Sequence, residues 1–420
     1  MSGKYQIFTP GEYLDWEKEH VLPRMELAAK LNESKPESGF GPALTAQEII
    51  ESNKVWDKYN PLFNSSDYAK SAGFRDVFCS PTYRPMTMVP GGRVPPLPQN
   101  IADAFYYAND GSDIRTFKRI FPGDTLRSKI VSTEFTDITV PGSDLRQFKC
   151  GTFTEVYNQK DELVMTIYGN TRDAYRKIID GSKPKTFSEN ISEWVDYFPE
   201  GYKNTPEDWE YFAEIWKNEK IRGSEPLYWE DVNVGDRPAM VCTAPVSYMN
   251  MMQWHGGRTL NRNIRDVMLN HPETLKTWYR DRCGNFVPDT ALHFGARNIP
   301  GSRMVFFNST ACCATIRLLT NFIGDKGLVT RVCWKFKQFF EDMRIPGAGC
   351  EFLDKVPGME GRGCERHGAE GDALIGKGYV TDKYVDGLGR HMIDMTIWVE
   401  AMDGNVIQVV GTSAELPSRG

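Results

Sequence analysis

MVFFNSTACCATIRLLTNFIGD, Met304 to Asp325, is the stretch that decides the fold. It is apolar nearly all round and rich in small residues. Such a segment predicts a helix buried on most of its faces rather than one with a single wet side. Behind it come LVTRVCWKFKQFF, GDALIGKGYVTDKY, HMIDMTIWVEAM and NVIQVVGTSAEL. Their alternating pattern predicts strands. The Asp403-Gly404 pair is a hairpin signal between the last two. The second half of the chain therefore reads as one long buried helix followed by an antiparallel sheet.

The first half repeats this order. FPGDTLRSKIV (Phe121 to Val131) is echoed by EGDALIGKGYV (Glu370 to Val380). TFTEVYNQKDELVMTIYGNT (from Thr152) is echoed by MTIWVEAMDGNVIQVVGTS (from Met395), and NPLF (Asn60 to Phe63) by TALH (Thr290 to His293). Three features in the same order twice predict a tandem duplication. In the first half NIADAFYYAND is expected as a shorter copy of the helix, with strands DIRTFKRIF, DTLRSKIVSTEFTD, LRQFKCGTFTEVYN and LVMTIYGNTRDAY after it. A helix wrapped by an antiparallel sheet is a hotdog arrangement. The fold class expected is α+β, a double hotdog of two tandem units.

Ile179 to Pro226 is polar and rich in Glu, Pro and Trp, and separates the halves. It predicts a linker with a short helix around Pro206 to Glu219. The expected organisation is residues 1–178, a linker over 179–226, and residues 227–420. The 420 residues suit about two domains. Hydrophobic residues at 40% and charged residues at 25% are globular composition. The net charge of −6 gives no reason to expect nucleic acid. No apolar run approaches the roughly 20 residues that span a bilayer. The polar, acidic N-terminus is unlike a secretory signal, so a cytoplasmic protein is expected.

Nine cysteines are scattered along the chain. Cys312 and Cys313, adjacent in the apolar segment, suit reduced, buried thiols. Cys350, Cys364 and His367 fit no zinc spacing and lack a fourth ligand, so a Gly-rich insertion loop is the plainer reading.

In their order, LHFGARNIPG (Leu292 to Gly301), RLLTNFIGDKG (Arg317 to Gly327), GDALIGKGYV, NPLFNSSDYAKSAGF and FPGDTL resemble the MaoC-like acyl-CoA dehydratases, also called R-specific enoyl-CoA hydratases, in a fused two-domain form. The resemblance spans most of both halves and leaves out the linker and the Cys350 to Gly368 insertion. It implies addition of water to a trans-2-enoyl-CoA, or the reverse. The family holds its water with an Asp and a His in Asp-x-Asn-Pro-x-His spacing. It receives the enolate charge on a backbone N–H at the start of the buried helix, a place suited to an oxyanion. No cofactor is implied, coenzyme A being part of the substrate.

Carried over by position, the resemblance puts Phe63 where the first half would have its His and Lys58 where it would have its Asp, with Asp57 one residue out of step. A phenyl ring moves no proton, so the first half is expected to be non-catalytic and to hold the acyl tail. In the second half His293 is kept. Asp289 stands four residues before it rather than five, without the Asn-Pro, and also reads as a turn or N-cap residue. The oxyanion position falls near Asn308. His255, in an exposed-looking turn, is a second proton-transfer candidate. Arg258 and Arg262, with Arg265, are candidates for the CoA phosphates, or else a solvated basic face. Tyr248 reads as core.

Two other functions stay open: a non-catalytic acyl-CoA-binding subunit of a larger complex, and a hotdog thioesterase. Fold alone does not choose among them. The expected partner is a small acyl-CoA, and a homodimer is compatible with the fused architecture.

Overall fold

The computed structural model describes residues 4–83, 92–98, 101–181, 202–243, 245, 269, 279–280, 286–287, 308–337, 348–366, 368–369 and 371–420. The chain divides into two compact units. The first is Met1–Leu44 with Arg84–Trp194, and the second is Thr45–Tyr83 with Val195–Gly420. Residues 45–83 thus group with the C-terminal half of the sequence.

The first unit has one long helix, α1 (Asp15–Ser34), and four antiparallel strands: β1 (Ala104–Thr116), β2 (Leu126–Asp137), β3 (Arg146–Asn158) and β4 (Leu163–Arg176), in the order β2-β3-β4-β1. Val21, Ala28 and Leu31 lie along one face of α1 and pack with Phe8, Phe135, Phe148 and Tyr175. Asn32 pins the helix to β2, exchanging two hydrogen bonds with the Thr133 backbone at 2.8 and 2.6 Å. The helix expected over NIADAFYYAND is not there. From Ala104 that stretch is strand β1, paired with β4 along its length, with a bulge between Asn109 and Gly111. The physical reason is local: Phe105, Tyr106 and Tyr107 favour a pleated surface, and Asn109-Asp110-Gly111 disfavours a helix interior.

The second unit carries α2 (Ala46–Trp56), α3 (Pro61–Asn64), α4 (Ser66–Ser71) and α5 (Pro206–Asn218). Then follow β5 (Val241–Thr243), β6 (Tyr279–Arg280), β7 (Phe286–Val287), α6 (Asn308–Ile323), β8 (Leu328–Phe336), α7 (Cys350–Leu353), β9 (Leu374–Val385), β10 (His391–Glu400) and β11 (Val406–Glu415). Five strands form an antiparallel sheet in the order β8-β11-β10-β9-β5, while β6 and β7 pair separately. Helix α6 touches all five strands. From Thr315 to Asn321 every residue on it is buried, as its all-round apolar pattern predicts. Gly378 on β9 lets it come close, since a Cβ there would stand 3.0 Å from Leu318. The side chains of Cys312 and Cys313 lie outside the described residues.

The repeated Gly-Asp step has the same geometry in both copies. Gly123 and Gly371 have φ of +87° and +90°, a backbone that glycine adopts at little cost. Asp124 Oδ2 accepts from the Phe121 N–H at 2.8 Å, and Asp372 Oδ2 from the Ala369 N–H at 2.7 Å. Each Asp also donates its own N–H back to that residue's carbonyl at 3.1 Å. A strand begins at Leu126 in one copy and Leu374 in the other. The helix expected near Pro206 is α5, and the Asp403-Gly404 hairpin joins β10 to β11.

The Cys350 insertion is part of the second unit's core. Leu353, Val356 and Cys364 are buried. Phe352 lies where a Cβ on Gly411 of β11 would be, 2.2 Å from its ring. No helix among the described residues is long and apolar enough to cross a membrane.

Candidate functional site

The turn that follows α2 is built by short polar side chains bonding to nearby backbone. Thr45 and Glu48 cap the start of α2 reciprocally. At its end Asp57 leaves the helix, and Asp57 Oδ1 accepts from the N–H groups of Tyr59 and Asn60 at 3.0 and 3.3 Å. Asn60 caps α3, accepting the Leu62 N–H at 3.0 Å, and Pro61 fills the first helical position. The Asn64 amide donates to the carbonyls of Asp57 and Asn60 at 2.7 and 2.8 Å.

This turn faces the polar side of α6. Arg317, Thr320 and Asn321 recur at helical spacing on α6. The Arg317 guanidinium lies 5.6 Å from the centre of the Tyr59 ring. Its Nε is 2.8 Å from Glu219 Oε1, and its Nη2 donates to the Cys242 carbonyl at 2.6 Å. Asn321 donates to the same Glu219 oxygen at 3.0 Å. Lower down, the Tyr68 hydroxyl donates to Asp325 Oδ2 at 3.0 Å and Lys326 to the Ala72 carbonyl at 2.7 Å.

The electrostatics follow from burial. Asp57 is 5% exposed. Burial raises the Asp57 carboxyl above the ordinary carboxylate range; the Tyr59 N–H, Arg317, the Asn60 N–H and Thr320 oppose that in part. Burial also raises Glu219, against Arg317 and Asn321, and the Asp57 charge adds to the rise. The Cys242 thiol is pushed up to about 12 by burial. Chemically the group is a buried carboxyl and a partly buried one near a single guanidinium, both carboxyls raised by burial.

Phe63 is core. It is 5% exposed and stands edge-on to Phe78 at 5.3 Å, with the Phe74 ring tilted against Phe78 at 5.1 Å. Asn53 clamps this cluster, donating to the carbonyls of Phe63 and Phe78 at 2.8 and 2.9 Å. The ring is used in packing, so the acyl-tail role expected for this half gains no support here.

His293, Asp289, His255, Arg258 and Arg262, and with them Arg265 and Tyr248, lie outside the described residues. Asn308 is the first residue of α6. Lys58 is exposed. Sequence reasoning missed Arg317 and Glu219. The signal for Arg317 was present, a lone cation inside ATIRLLTN that needs a buried counter-charge. Among the described residues no group of three or more His, Cys, Asp or Glu is placed to hold a metal. Cys364 is buried with its thiol 3.4 Å from the Lys335 carbonyl, and His367 is outside the described residues.

No protein-family model matches the chain. No curated protein matches it. Among solved structures, it is similar to a MaoC domain protein dehydratase of Chloroflexus aurantiacus J-10-fl, at 11% identity over 92% of this chain and 95% of that one, with a TM-score of 0.45. It is also similar to a MaoC-like dehydratase of Phytophthora capsici, at 10% identity over 93% and 99%, TM-score 0.38. A Mycobacterium tuberculosis protein described as having a double hotdog fold is similar at 11% identity over 99% and 96%, TM-score 0.34.

Proposed function

We propose that the chain is a hydratase or dehydratase of an acyl-CoA thioester, a carbon-oxygen lyase built as two tandem hotdog folds and working in the cytoplasm. The observation that carries the reading is where α6 begins. Asn308 is its first residue, so the unpaired N–H groups of a helix's first turn follow the His293 segment in the chain. Such N–H groups suit the oxygen of a thioester on which enolate charge develops. The duplicated Gly-Asp geometry supports the tandem architecture.

In this reading Asp289 and His293 hold the water, and His293 takes its proton. The hydroxyl oxygen bonds to the β carbon, and the π electrons move onto the thioester oxygen at the Asn308 N–H. They return as the α carbon takes up a proton. Arg258 and Arg262 meet the CoA phosphates, and His255 is the alternative proton carrier. The two chain halves stand in for a dimer of single hotdogs, and further pairing into a homodimer is compatible with that.

The test is loss or gain of enoyl-thioester absorbance with crotonyl-CoA and a panel of branched and aromatic enoyl-CoAs, for the wild type and His293→Ala. Turnover that falls about 10²- to 10⁴-fold in the variant supports the assignment. Thioester binding without turnover by the wild type overturns the catalytic reading in favour of a binding subunit. Turnover that survives the substitution moves the proton transfer to His255.

A further inference from the structure

We propose that Arg317 is a positioning residue: its guanidinium fixes the height of helix α6 along the helix axis, and with it the place of the first-turn N–H groups that meet the thioester oxygen. This rests on the acyl-CoA hydratase reading of that helix. Asn308 opens α6 and Arg317 follows nine residues later, about 13 Å along the axis at roughly 1.5 Å per residue. A helix is stiff over that length, so a slide at Arg317 is a slide at Asn308. Apolar packing is non-directional and resists such a slide weakly. Directional contacts from polar side chains resist it.

The seat that receives Arg317 is itself cross-braced. Cys242 lies in β5, paired with Ile375 of β9. Its carbonyl accepts from the Trp216 indole N–H at 2.7 Å as well as from Arg317 Nη2 at 2.6 Å. Trp216 belongs to α5, and Glu219 is the residue that ends that helix. Glu219 Oε1 stands 2.8 Å from Arg317 Nε and accepts from the Asn321 amide at 3.0 Å. One carboxylate therefore grips α6 at two positions a helical turn apart. The Tyr59 ring, its centre 5.6 Å from the guanidinium, adds a third element to the seat.

The far side of the helix is held as well. Thr315 stands two residues before Arg317, about 200° round the helix. Its hydroxyl donates to Gln408 Oε1 on β11 at 3.2 Å, and both residues are buried. Leu318 meets β9 at Gly378, where a Cβ would lie 3.0 Å from it. The Thr315 bond is neutral, whereas the Arg317 contacts are charge-assisted and reach both a helix end and a strand. Without the guanidinium, α6 keeps its apolar bed and its tie to β11 but loses the fork that sets its height against α5 and β5.

The test is steady-state kinetics of the full chain on the best enoyl-CoA of the panel, for the wild type, Arg317→Met and Arg317→Lys, at a temperature where each is folded by circular dichroism. Arg317→Met is expected to lower kcat about 10- to 100-fold with little change in KM, the size of effect that a misplacement near 1 Å brings. Arg317→Lys keeps a charge beside Glu219 and is expected to fall between. An unchanged kcat in Arg317→Met overturns the assignment, as does a loss carried by KM alone. Should Arg317→Met fail to fold, Arg317→Lys is judged by the same two readings. Should the wild type bind crotonyl-CoA without turnover, the infrared band of the bound thioester carbonyl decides. It is expected below its position in water for the wild type and shifted back toward that position in the variants, and a band equally low in all three overturns the assignment. A wild type that neither turns over nor lowers the band overturns the hydratase reading and the assignment together, whereas an active wild type with an equally active Arg317→Met overturns the assignment alone.

Discussion

The Arg146 guanidinium and the Glu17 carboxylate, 129 residues apart in the chain, form a two-pronged ion pair with both contacts at 2.8 Å and neither side chain exposed at all. All five N–H donors of Arg146 are used. Beyond Glu17 they reach the carbonyls of Thr9 and Glu12 and the Asp137 carboxylate, at 2.9, 2.6 and 3.2 Å. Tyr175 gives its hydroxyl proton to Glu17 at 2.6 Å, and the Phe8 ring covers the guanidinium at 4.7 Å.

Removing one partner strands the other charge in the core of the first unit. Glu17→Gln or Arg146→Met is expected to cost about 3–5 kcal/mol in denaturant unfolding, and the double variant Glu17→Met/Arg146→Met less than the sum. Additive losses would show that the two side chains are not coupled.

Asp173, 3% exposed, sets a pH window for the same unit. Burial lifts its carboxyl from 3.8 to about 7, against the Leu97 N–H, Arg24 and Arg93. A raised folded value means that the stabilisation is complete below about pH 4 and is lost as pH rises to about 7. The total is on the order of 4 kcal/mol. Asp173→Asn keeps the acceptor for Leu97 and is expected to flatten unfolding free energy across that window. An unchanged pH profile in the variant would rule this out.

The seat of α7 on the sheet is tight. Gly411 pairs with Thr396, whose hydroxyl donates to the Phe352 carbonyl at 2.9 Å. Gly411→Ala would put a methyl carbon 2.2 Å from the Phe352 ring. We expect a loss of about 1–3 kcal/mol by thermal or urea unfolding, and a smaller one when Phe352→Ala makes room. An equal loss in both backgrounds would place the strain elsewhere.

Phe63→His tests whether the first-half turn keeps a usable site shape. The ring sits against Phe78 with its carbonyl held by Asn53. The imidazole would enter an aromatic cluster, so we expect a loss of about 1–3 kcal/mol in stability and no gain in enoyl-CoA turnover. A gain in turnover would mean that the site is open.

The sequence made the helix–sheet layer of the second unit legible because α6 is apolar on most of its faces and the strands alternate. The Gly-Asp step was legible because a left-handed backbone position calls for Gly. The strand at Ala104 was misread because position in the repeat outweighed its aromatic content. Asp57 looked misplaced because the motif was counted along the chain, whereas its environment comes from Arg317 and Glu219, far away in sequence. Long-range charge pairing of that kind leaves only a hint, a lone Arg in an apolar run.

The grouping of residues 45–83 with the C-terminal half has a consequence during synthesis. Helices α2–α4 leave the ribosome roughly 240 residues before α6, the helix on which they rest. At 5–20 residues per second that is a wait of roughly 12 to 48 s. Throughout it Leu62, Phe63 and Phe78 have no finished core to enter. The nascent chain therefore carries an exposed apolar segment for most of its translation, and its yield in a cell should depend on holdase chaperones more than on elongation speed alone.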